Sequence, residues 1–308
     1  MAGPCELILV TGFLGAGKTT LLRSLLRLSA GKRVHLIINE FGKAGVDGAL
    51  LEGLGAGIDE IVNGSIFCVC RLDRFETALD AVQRSLPELL FVEASGLSDP
   101  SAIRTLLEQG TRYPGIRYKG CIALADATRL HRVIGTARVC HKQLSVADLI
   151  LLTKTDIASK EETQAAENLL QERYPGISLI RCVQGELPYD ILEGLSTAHP
   201  AMDMDSRRDL TMQKRCLALA PGMTEAQLRG FLRMFVEDTY RVKGFVRLGG
   251  QTFLVDCVGA YIHVSPGADR QADNRLVVLA GEGMPLRASL KEAVKLYGNW
   301  VSDIGQEP

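Results

Sequence analysis

The chain has almost no surplus of charge of either sign. Its 308 residues carry 35 Lys and Arg against 36 Asp and Glu, which gives a formal net charge of −1. Proteins that hold nucleic acid or an anionic membrane surface need a positive surplus. We therefore expect no nucleic-acid partner and no membrane partner, although a local basic patch is compatible with this balance.

Long apolar runs and internal repeats are also missing. No stretch approaches the roughly 18 consecutive apolar residues of a transmembrane helix. The first apolar run, Leu7–Val10, is short and has no basic region before it, so we expect no signal peptide. Hydrophobic residues still make up 46% of the chain, enough for a core. These features predict a globular protein of the cytoplasm.

Cysteine is present at eight positions. In a reducing cytosol we expect thiols and not disulfides. Most of the cysteines stand alone in apolar segments, which is typical of small buried hydrophobic residues. The exception is the close pair Cys68 and Cys70.

Short apolar strands alternate with amphipathic helices in the first two thirds of the chain. This alternation favours an α/β fold with a mainly parallel sheet that is covered on both faces. The expected strands are Glu6–Val10, Val34–Ile38, Leu89–Val92, Gly120–Leu124 and Asp148–Leu152, and the expected helices include Lys18–Leu28, Arg74–Ser85 and Ser159–Arg173.

The pattern changes after about Gly194. Residues 196–209 are polar and are interpreted as a linker. Beyond them, Thr224 and Gln227 form a capping-box signature, and Gly249-Gly250 separates two strand-like runs as a hairpin turn would. We predict a nucleotide domain at 1–195 and a smaller α+β domain at 210–308.

Residues Gly12–Thr19 match the phosphate-binding pattern G-x-x-x-x-G-K-[ST] between a predicted strand and a predicted helix. Glycines let backbone N–H groups approach phosphate oxygens, and the helix N-terminus adds positive potential. Lys18 is expected on the β- and γ-phosphates and the Thr19 hydroxyl on Mg²⁺. The predicted nucleotide-binding residues of this loop are Gly12, Gly15, Ala16, Gly17, Lys18, Thr19 and Thr20.

Two further motifs follow in the order that a P-loop enzyme requires. Glu93 stands at a predicted strand end, where it is expected to hold Mg²⁺ through a water, and the N–H of Gly96 is expected to face the γ-phosphate. Lys18, Thr19 and Glu93 are therefore the predicted catalytic residues.

The segment Thr153-Lys154-Thr155-Asp156 follows the last predicted strand of the domain. A carboxylate at Asp156 can accept two hydrogen bonds from guanine, a donor pair that adenine lacks. The aliphatic part of Lys154 can cover the base. The alternative interpretation is that Asp156 caps the helix that follows.

Several motifs together resemble those of one family. They are the P-loop, Asn39-Glu40-Phe41-Gly42, Asn63-Gly64, Glu93-Ala-Ser-Gly96, Asp126-Ala127 and Thr153–Asp156, with Arg241–Phe245 and Arg275–Ala280 in the second half. The chain resembles the CobW-type metallochaperone GTPases, relatives of the hydrogenase and urease nickel-insertion GTPases. The resemblance implies a P-loop GTPase with a CobW C-terminal domain, slow GTP hydrolysis with Mg²⁺, and delivery of a transition metal or metal cofactor to a client protein. It places Glu40 and Asp47 in the first switch.

The chain departs from the family at Thr153, where the base motif usually has asparagine, and in the cysteine segment. The family has C-x-C-C after an Asn-Gly pair, whereas here the three positions hold Ser65, Phe67 and Cys68, and Cys70 follows. Cys68 and Cys70, two residues apart on an extended segment, would face the same side and suit Zn²⁺ or another thiophilic metal. Glu40 is the first candidate for a further ligand, before His131 or His141. The alternative is that both cysteines are structural.

The glycine-rich stretch from Gly42 to Gly57 links the first switch to the cysteine segment. We expect γ-phosphate and Mg²⁺ to order it and hydrolysis to release it, so that the hold on metal at Cys68 and Cys70 follows the nucleotide state.

Three functions remain open on the sequence. The first is a GTPase that delivers a metal or metal cofactor to a client metalloprotein. The second is a GTPase switch that serves a cofactor enzyme, such as a corrinoid protein, without holding metal itself. The third is a small-molecule kinase. A homodimer is compatible with all three.

Overall fold

The computed structural model describes residues 3–40, 57–62, 72–108, 112–197, 212–267, 274–281 and 283–306. The chain forms two compact units, one of residues 1–134 and 138–208 and the other of residues 135–137 and 209–308. The predicted linker lies largely outside the described residues.

The first unit is built on a seven-stranded sheet in which every neighbouring pair is parallel, in the order β3-β2-β4-β1-β5-β6-β7. The strands are β1 (Cys5–Gly12), β2 (Val34–Glu40), β3 (Gly57–Val62), β4 (Leu89–Glu93), β5 (Ile116–Asp126), β6 (Leu149–Thr153) and β7 (Ser178–Cys182). The helices between and after them are α1 (Lys18–Leu28), α2 (Leu72–Ser85), α3 (Ser101–Glu108), α4 (Leu130–Thr136), α5 (Arg138–Ser145), α6 (Lys160–Arg173) and α7 (Ile191–Gly194).

The central strand β1 is buried on both faces, as the apolar run predicts. Ile8 and Val10 pack with the leucines of α1, among them the fully buried Leu25. The alternate residues Leu7 and Leu9 pack on the opposite face with α2. Burying one such leucine stabilises the fold by about 1.5–3 kcal/mol, so this two-sided core holds the start of the P-loop in place.

The second unit contains a six-stranded antiparallel sheet in the order β11-β10-β9-β12-β8-β13. Its strands are β8 (Met212–Leu219), β9 (Arg241–Leu248), β10 (Gln251–Val258), β11 (Tyr261–Pro266), β12 (Arg275–Gly281) and β13 (Val301–Gln306), and its helices are α8 (Glu225–Arg233) and α9 (Leu286–Tyr297). The predicted capping box at Thr224 and Gln227 and the hairpin between β9 and β10 are present. The predicted fold class, a parallel α/β domain with a smaller α+β part, is confirmed.

Candidate functional site

The carboxyl ends of four neighbouring strands meet at one edge of the parallel sheet. The register pairs Val10 of β1 with Glu93, the last residue of β4, and pairs Asp126 of β5 with Thr153 of β6. Because β1 lies between β4 and β5, the P-loop leaves the sheet with Glu93 on one side and Asp126 on the other. Crevices at this edge are where open α/β sheets bind ligands.

The P-loop opens helix α1 without a capping side chain. Gly17, the residue before the helix, has φ 102°, a left-handed conformation that glycine adopts without strain. No side chain caps the helix at Gly17 and no acidic residue stands in its first turn. The first backbone N–H groups of α1 are therefore not engaged by a capping side chain, and they can donate hydrogen bonds to a bound anion.

Lys18 lies against the loop that it follows. Its ammonium nitrogen donates a hydrogen bond to the carbonyl oxygen of Gly12 at 2.9 Å, and the residue is buried. Within the loop, the N–H of Ala16 donates to the carbonyl oxygen of Phe13 at 3.1 Å. Gly15 and Thr19 are half-buried and Thr20 is exposed. The predicted phosphate-binding residues are thus gathered in one tight turn.

Glu93 and Gly96 stand beside this turn. Glu93 is only 6% exposed at the end of β4. A Cβ on Gly96 would come within 2.8 Å of Leu14 Cδ2 and 3.0 Å of the Leu14 backbone nitrogen, so only glycine fits here. The backbone of the loop after β4 is therefore packed directly on the P-loop.

Helix α5 holds the loop that follows β4. The amide nitrogen of Gln143 donates hydrogen bonds to the carbonyl oxygens of Gly96 at 3.2 Å and Ser98 at 3.1 Å, and Gln143 is buried. The ammonium of Lys142 lies 2.8 Å from a carboxylate oxygen of Asp99. Gln143, Lys142 and the residues that they hold are called the α5 clasp below. No local sequence signal indicates this role of Gln143, because the carbonyl oxygens that it holds lie more than forty residues away in the chain.

The α5 clasp affects the pKa of the Asp99 carboxyl group. Burial alone would raise its pKa, but hydrogen bonds from Lys142 and Ser101 outweigh burial and hold the pKa below its ordinary value. Asp99 is therefore ionised at neutral pH, and its bond to Lys142 is a charge-assisted one.

A second buried contact ties α3 to the start of β6. The guanidinium of Arg104 donates to the carbonyl oxygen of Val146 at 2.6 Å and lies 3.6 Å from a carboxylate oxygen of Asp148. The other carboxylate oxygen of Asp148 accepts from the N–H of Cys121 at 2.8 Å. The Arg104 and Asp148 side chains are almost fully buried, so the pair fixes the strands on which the base motif stands.

The base motif contacts the P-loop directly. The Thr153 hydroxyl lies 2.9 Å from the carbonyl oxygen of Ala16 and 3.2 Å from that of Ala125. Lys154, at φ 59°, places its ammonium 2.6 Å from a carboxylate oxygen of Asp126. Both contacts hold the start of the Thr153–Asp156 segment beside the phosphate loop.

Asp156 does not cap the next helix, so that alternative interpretation is wrong. Helix α6 is capped by Ser159, whose hydroxyl accepts from the N–H of Glu162 while the Glu162 carboxylate accepts from the N–H of Ser159. Asp156 is exposed in the turn before this capping box. Its carboxylate is available to a ligand.

The candidates for a transition-metal site fall mostly outside the described residues. Cys68, Cys70, Ser65, Phe67 and Asp47 lie there, and so does the side chain of Glu40, the last residue of β2. Among the residues that the structure describes, no group of three or more His, Cys, Asp or Glu is arranged to hold a metal ion.

The histidine candidates differ in their surroundings. One ring nitrogen of His141 lies 2.9 Å from the Tyr174 hydroxyl and the other lies 3.1 Å from the Arg173 guanidinium. Burial and then the charge of Arg173 lower the pKa of His141. Both ring nitrogens of His141 are therefore engaged by neighbouring side chains. His131 is exposed.

The described cysteines outside the pair are thiols, and most of them are buried. Burial raises the pKa of Cys5, of Cys140 and of Cys257 to about 12. The burial of most of the described cysteines confirms the prediction of small buried hydrophobic residues. In the described parts of the chain, no helix has the length and apolar character needed to cross a membrane.

Two family models match the chain. The model described as "CobW/HypB/UreG, nucleotide-binding domain" matches residues 6–180, more than half of the chain. The model described as "Cobalamin synthesis protein cobW C-terminal domain" matches residues 214–295.

Similar proteins include "Zinc chaperone CobW" from Sinorhizobium sp, which is 29% identical over an alignment 346 positions long, gaps included, that covers 95% of this chain and 97% of that protein. "Zinc chaperone YjiA" from Escherichia coli (strain K12) is 36% identical over 166 residues, 52% of each chain. The crystal structure of Zn(II)-bound YjiA GTPase from E. coli aligns with 96% of this chain and 99% of that chain, at 22% identity and a TM-score of 0.44.

Proposed function

This chain belongs to the CobW/HypB/UreG family, and we propose that it is a GTPase metallochaperone that delivers or inserts a transition metal, or a metal cofactor, into a client protein. It would hydrolyse GTP with water to GDP and inorganic phosphate. The relatives that are named zinc chaperones support zinc as the metal.

The phosphate end of the nucleotide is assigned to the P-loop. The uncapped N-terminus of α1 and the ammonium of Lys18 provide positive potential for the phosphates. Thr19 and Glu93 provide the hydroxyl and carboxylate oxygens that Mg²⁺ prefers, so the donor set fits this ion. When bound, Mg²⁺ would supply positive charge beside the β- and γ-phosphate oxygens. Gly96 packs on the P-loop at Leu14, and its N–H is proposed to face the γ-phosphate.

In the hydrolysis step, the water oxygen forms a bond to the γ-phosphorus while the bond from that phosphorus to the β–γ bridging oxygen breaks. The protein contributes positioning and charge, and we expect slow turnover until a client docks. The absence of an acceptor in this step distinguishes it from the reaction of a small-molecule kinase.

One observation carries the guanine assignment: the Thr153 hydroxyl lies 2.9 Å from the carbonyl oxygen of Ala16. This contact joins the base motif to the phosphate loop, so that one ligand can reach both. Asp156, which caps no helix, is proposed to accept two hydrogen bonds from guanine. Asp156→Ala should therefore weaken GTP binding about tenfold or more and leave the weak binding of ATP unchanged. Equal losses for GTP and ATP would contradict the assignment.

The metal is assigned, as a proposal, to Cys68 and Cys70 with Glu40. Two thiolates and a carboxylate suit Zn²⁺, which takes four ligands in structural sites. We propose that GTP binding and hydrolysis change the hold on this metal through the segment from Gly42 to Gly57. We further propose that residues 1–195 form the GTPase domain, 196–209 the linker and 210–308 a domain that recognises the client, acting in the cytoplasm.

The deciding experiment is a zinc titration of the reduced protein with GDP and then with a non-hydrolysable GTP analogue. Wild type is compared with Cys68→Ser/Cys70→Ser and with the matched control Cys216→Ser, a half-buried thiol of the second unit. We expect tight binding that needs the cysteine pair, survives in the control and differs between the nucleotides. If zinc binding does not depend on Cys68 and Cys70 in either nucleotide state, the result would contradict the metallochaperone proposal and favour a GTPase switch for a cofactor enzyme.

A further inference from the structure

The second unit has a groove that the nucleotide and metal chemistry does not use. It lies between helix α9 and strand β8 and has a volume of about 540 Å³. The described residues that line it provide four cationic and two apolar side chains, namely Arg215, Arg287, Leu290, Lys291, Val294 and Lys295. We call it the α9 groove.

The cations of the α9 groove are largely uncompensated. Lys295 forms an ion pair with Glu292 at 2.6 Å. Within the described part of the chain, Arg215, Arg287 and Lys291 form no ion pair. The groove is therefore a local concentration of positive charge on a chain whose formal net charge is −1.

The spacing on α9 arranges these charges in a row. Arg287, Lys291 and Lys295 follow one another at four-residue intervals, so they share one side of the helix and span about 12 Å at 1.5 Å per residue. Leu290, which is buried, and Val294 form an apolar strip beside this row.

A row of lysines and arginines on a helix is most often a solvated face. The α9 groove differs because a fourth cation comes from a separate element and faces the same apolar strip. Arg215 belongs to β8, where its backbone pairs with Val278 of β12 on one side and with Gln306 of β13 on the other. Cations on two sides of an apolar floor are an arrangement that suits an amphipathic ligand.

We propose that the α9 groove binds an acidic segment of a partner polypeptide. Carboxylates of that segment would lie against Arg215, Arg287 and Lys291, and an apolar side chain would lie on Leu290 and Val294. Acidic residues at four-residue spacing along a helix match the row of cations. Single-stranded nucleic acid fits less well, because such sites use aromatic side chains as stacking surfaces and none of the described side chains that line this groove is aromatic.

The test uses a fluorescein-labelled amphipathic peptide with glutamates at positions i, i+4 and i+8 and leucines beside them. Its affinity for the full-length protein is measured by fluorescence anisotropy at low and at physiological salt. The groove variant is Arg287→Glu/Lys291→Glu. The matched control is Arg233→Glu/Arg247→Glu, which makes the same change in formal charge at exposed positions outside the groove.

We expect the groove variant to bind the peptide about tenfold more weakly than wild type, the control to bind as wild type does, and added salt to weaken binding. Unchanged intrinsic GTP hydrolysis and thermal unfolding in both variants show that they are folded. Equal loss in the two variants, or no binding by wild type, would overturn the proposal. So would groove-dependent binding of an oligouridine that is tighter than that of the peptide, or groove-dependent self-association in sedimentation.

Discussion

The Thr153 hydroxyl lies 2.9 Å from the carbonyl oxygen of Ala16, which joins the end of β6 to the P-loop across the sheet. This is the position at which relatives usually carry asparagine. Threonine keeps one donor there, and the structure uses that donor to fix the base motif relative to the phosphate loop.

Thr153→Val should weaken binding of both GTP and GDP. Valine has the same shape but no donor, and a buried carbonyl left without its partner costs about 1 kcal/mol, roughly a fivefold loss of affinity. Fluorescent GDP binding measures it. Thr153→Ser, which keeps the hydroxyl, should bind nearly as wild type does; if it binds as poorly as the valine variant, the hydrogen bond is not the cause.

Gln143→Ala should affect the binding of GTP and not the binding of GDP. Gln143 holds the carbonyl oxygen of Gly96, and only the γ-phosphate is proposed to meet Gly96. We expect affinity for a non-hydrolysable GTP analogue and the hydrolysis rate to fall about tenfold, with GDP affinity unchanged. The control is Gln164→Ala, an exposed glutamine on α6. A parallel loss of GDP affinity would mean that Gln143 supports the whole domain and not the γ-phosphate contact.

Asp99→Asn should reduce stability at neutral pH and not in acid. The native pKa of Asp99 is lowered, so its contribution is complete above the ordinary aspartate pKa of about 3.9 and is lost as pH falls through the native value. Because Asp99 is partly solvated, we expect a difference of only about 1 kcal/mol. Urea denaturation at a series of pH values from neutral downward measures it. A difference that does not begin to shrink as the pH falls below about 3.9 would show that the charge is not responsible.

Arg104→Ala should be the most destabilising of these substitutions. It removes the cationic partner of the buried Asp148 carboxylate, and breaking such a pair costs roughly 3–5 kcal/mol. The double variant Arg104→Met/Asp148→Asn should recover much of that loss because it removes both charges and keeps an acceptor for the N–H of Cys121. Urea denaturation of the single and double variants forms the test, and a double variant no better than the single would indicate that packing dominates.

Local patterns predicted the parts of the fold that depend on neighbouring residues. The strand, loop and helix from Cys5 to Leu28 follow from an apolar run, glycines and leucine spacing, all within one stretch of chain. The hairpin at Gly249-Gly250 and the capping box at Thr224 are equally local. At Asp156 two capping residues compete, and the reciprocal pair of Ser159 and Glu162 satisfies two N–H groups, which explains why α6 begins later.

Contacts between distant segments could not be read in this way. Gln143 and Gly96 are 47 residues apart, and their hydrogen bond exists only because α5 packs beside the loop after β4. Periodicity shows that a helix is amphipathic, but it does not show which loop a glutamine on that helix will reach. The pairing of Arg104 with Asp148 is hidden for the same reason, since a charged residue in a sequence is ordinarily expected at the surface.

The central place of β1 has a consequence for synthesis of the chain. β1 is synthesised before its neighbours β4 and β5, which begin only at Leu89 and Ile116. Such non-local strand pairings form slowly, because closing the long loops costs conformational entropy before the strand contacts can stabilise the structure. A nascent chain that ends before Leu89 holds the complete P-loop sequence without the strands β4 and β5 that flank β1. Nucleotide binding should therefore appear only after β4 and β5 have been synthesised, and until then the apolar side chains of β1 have no neighbouring strands to cover them.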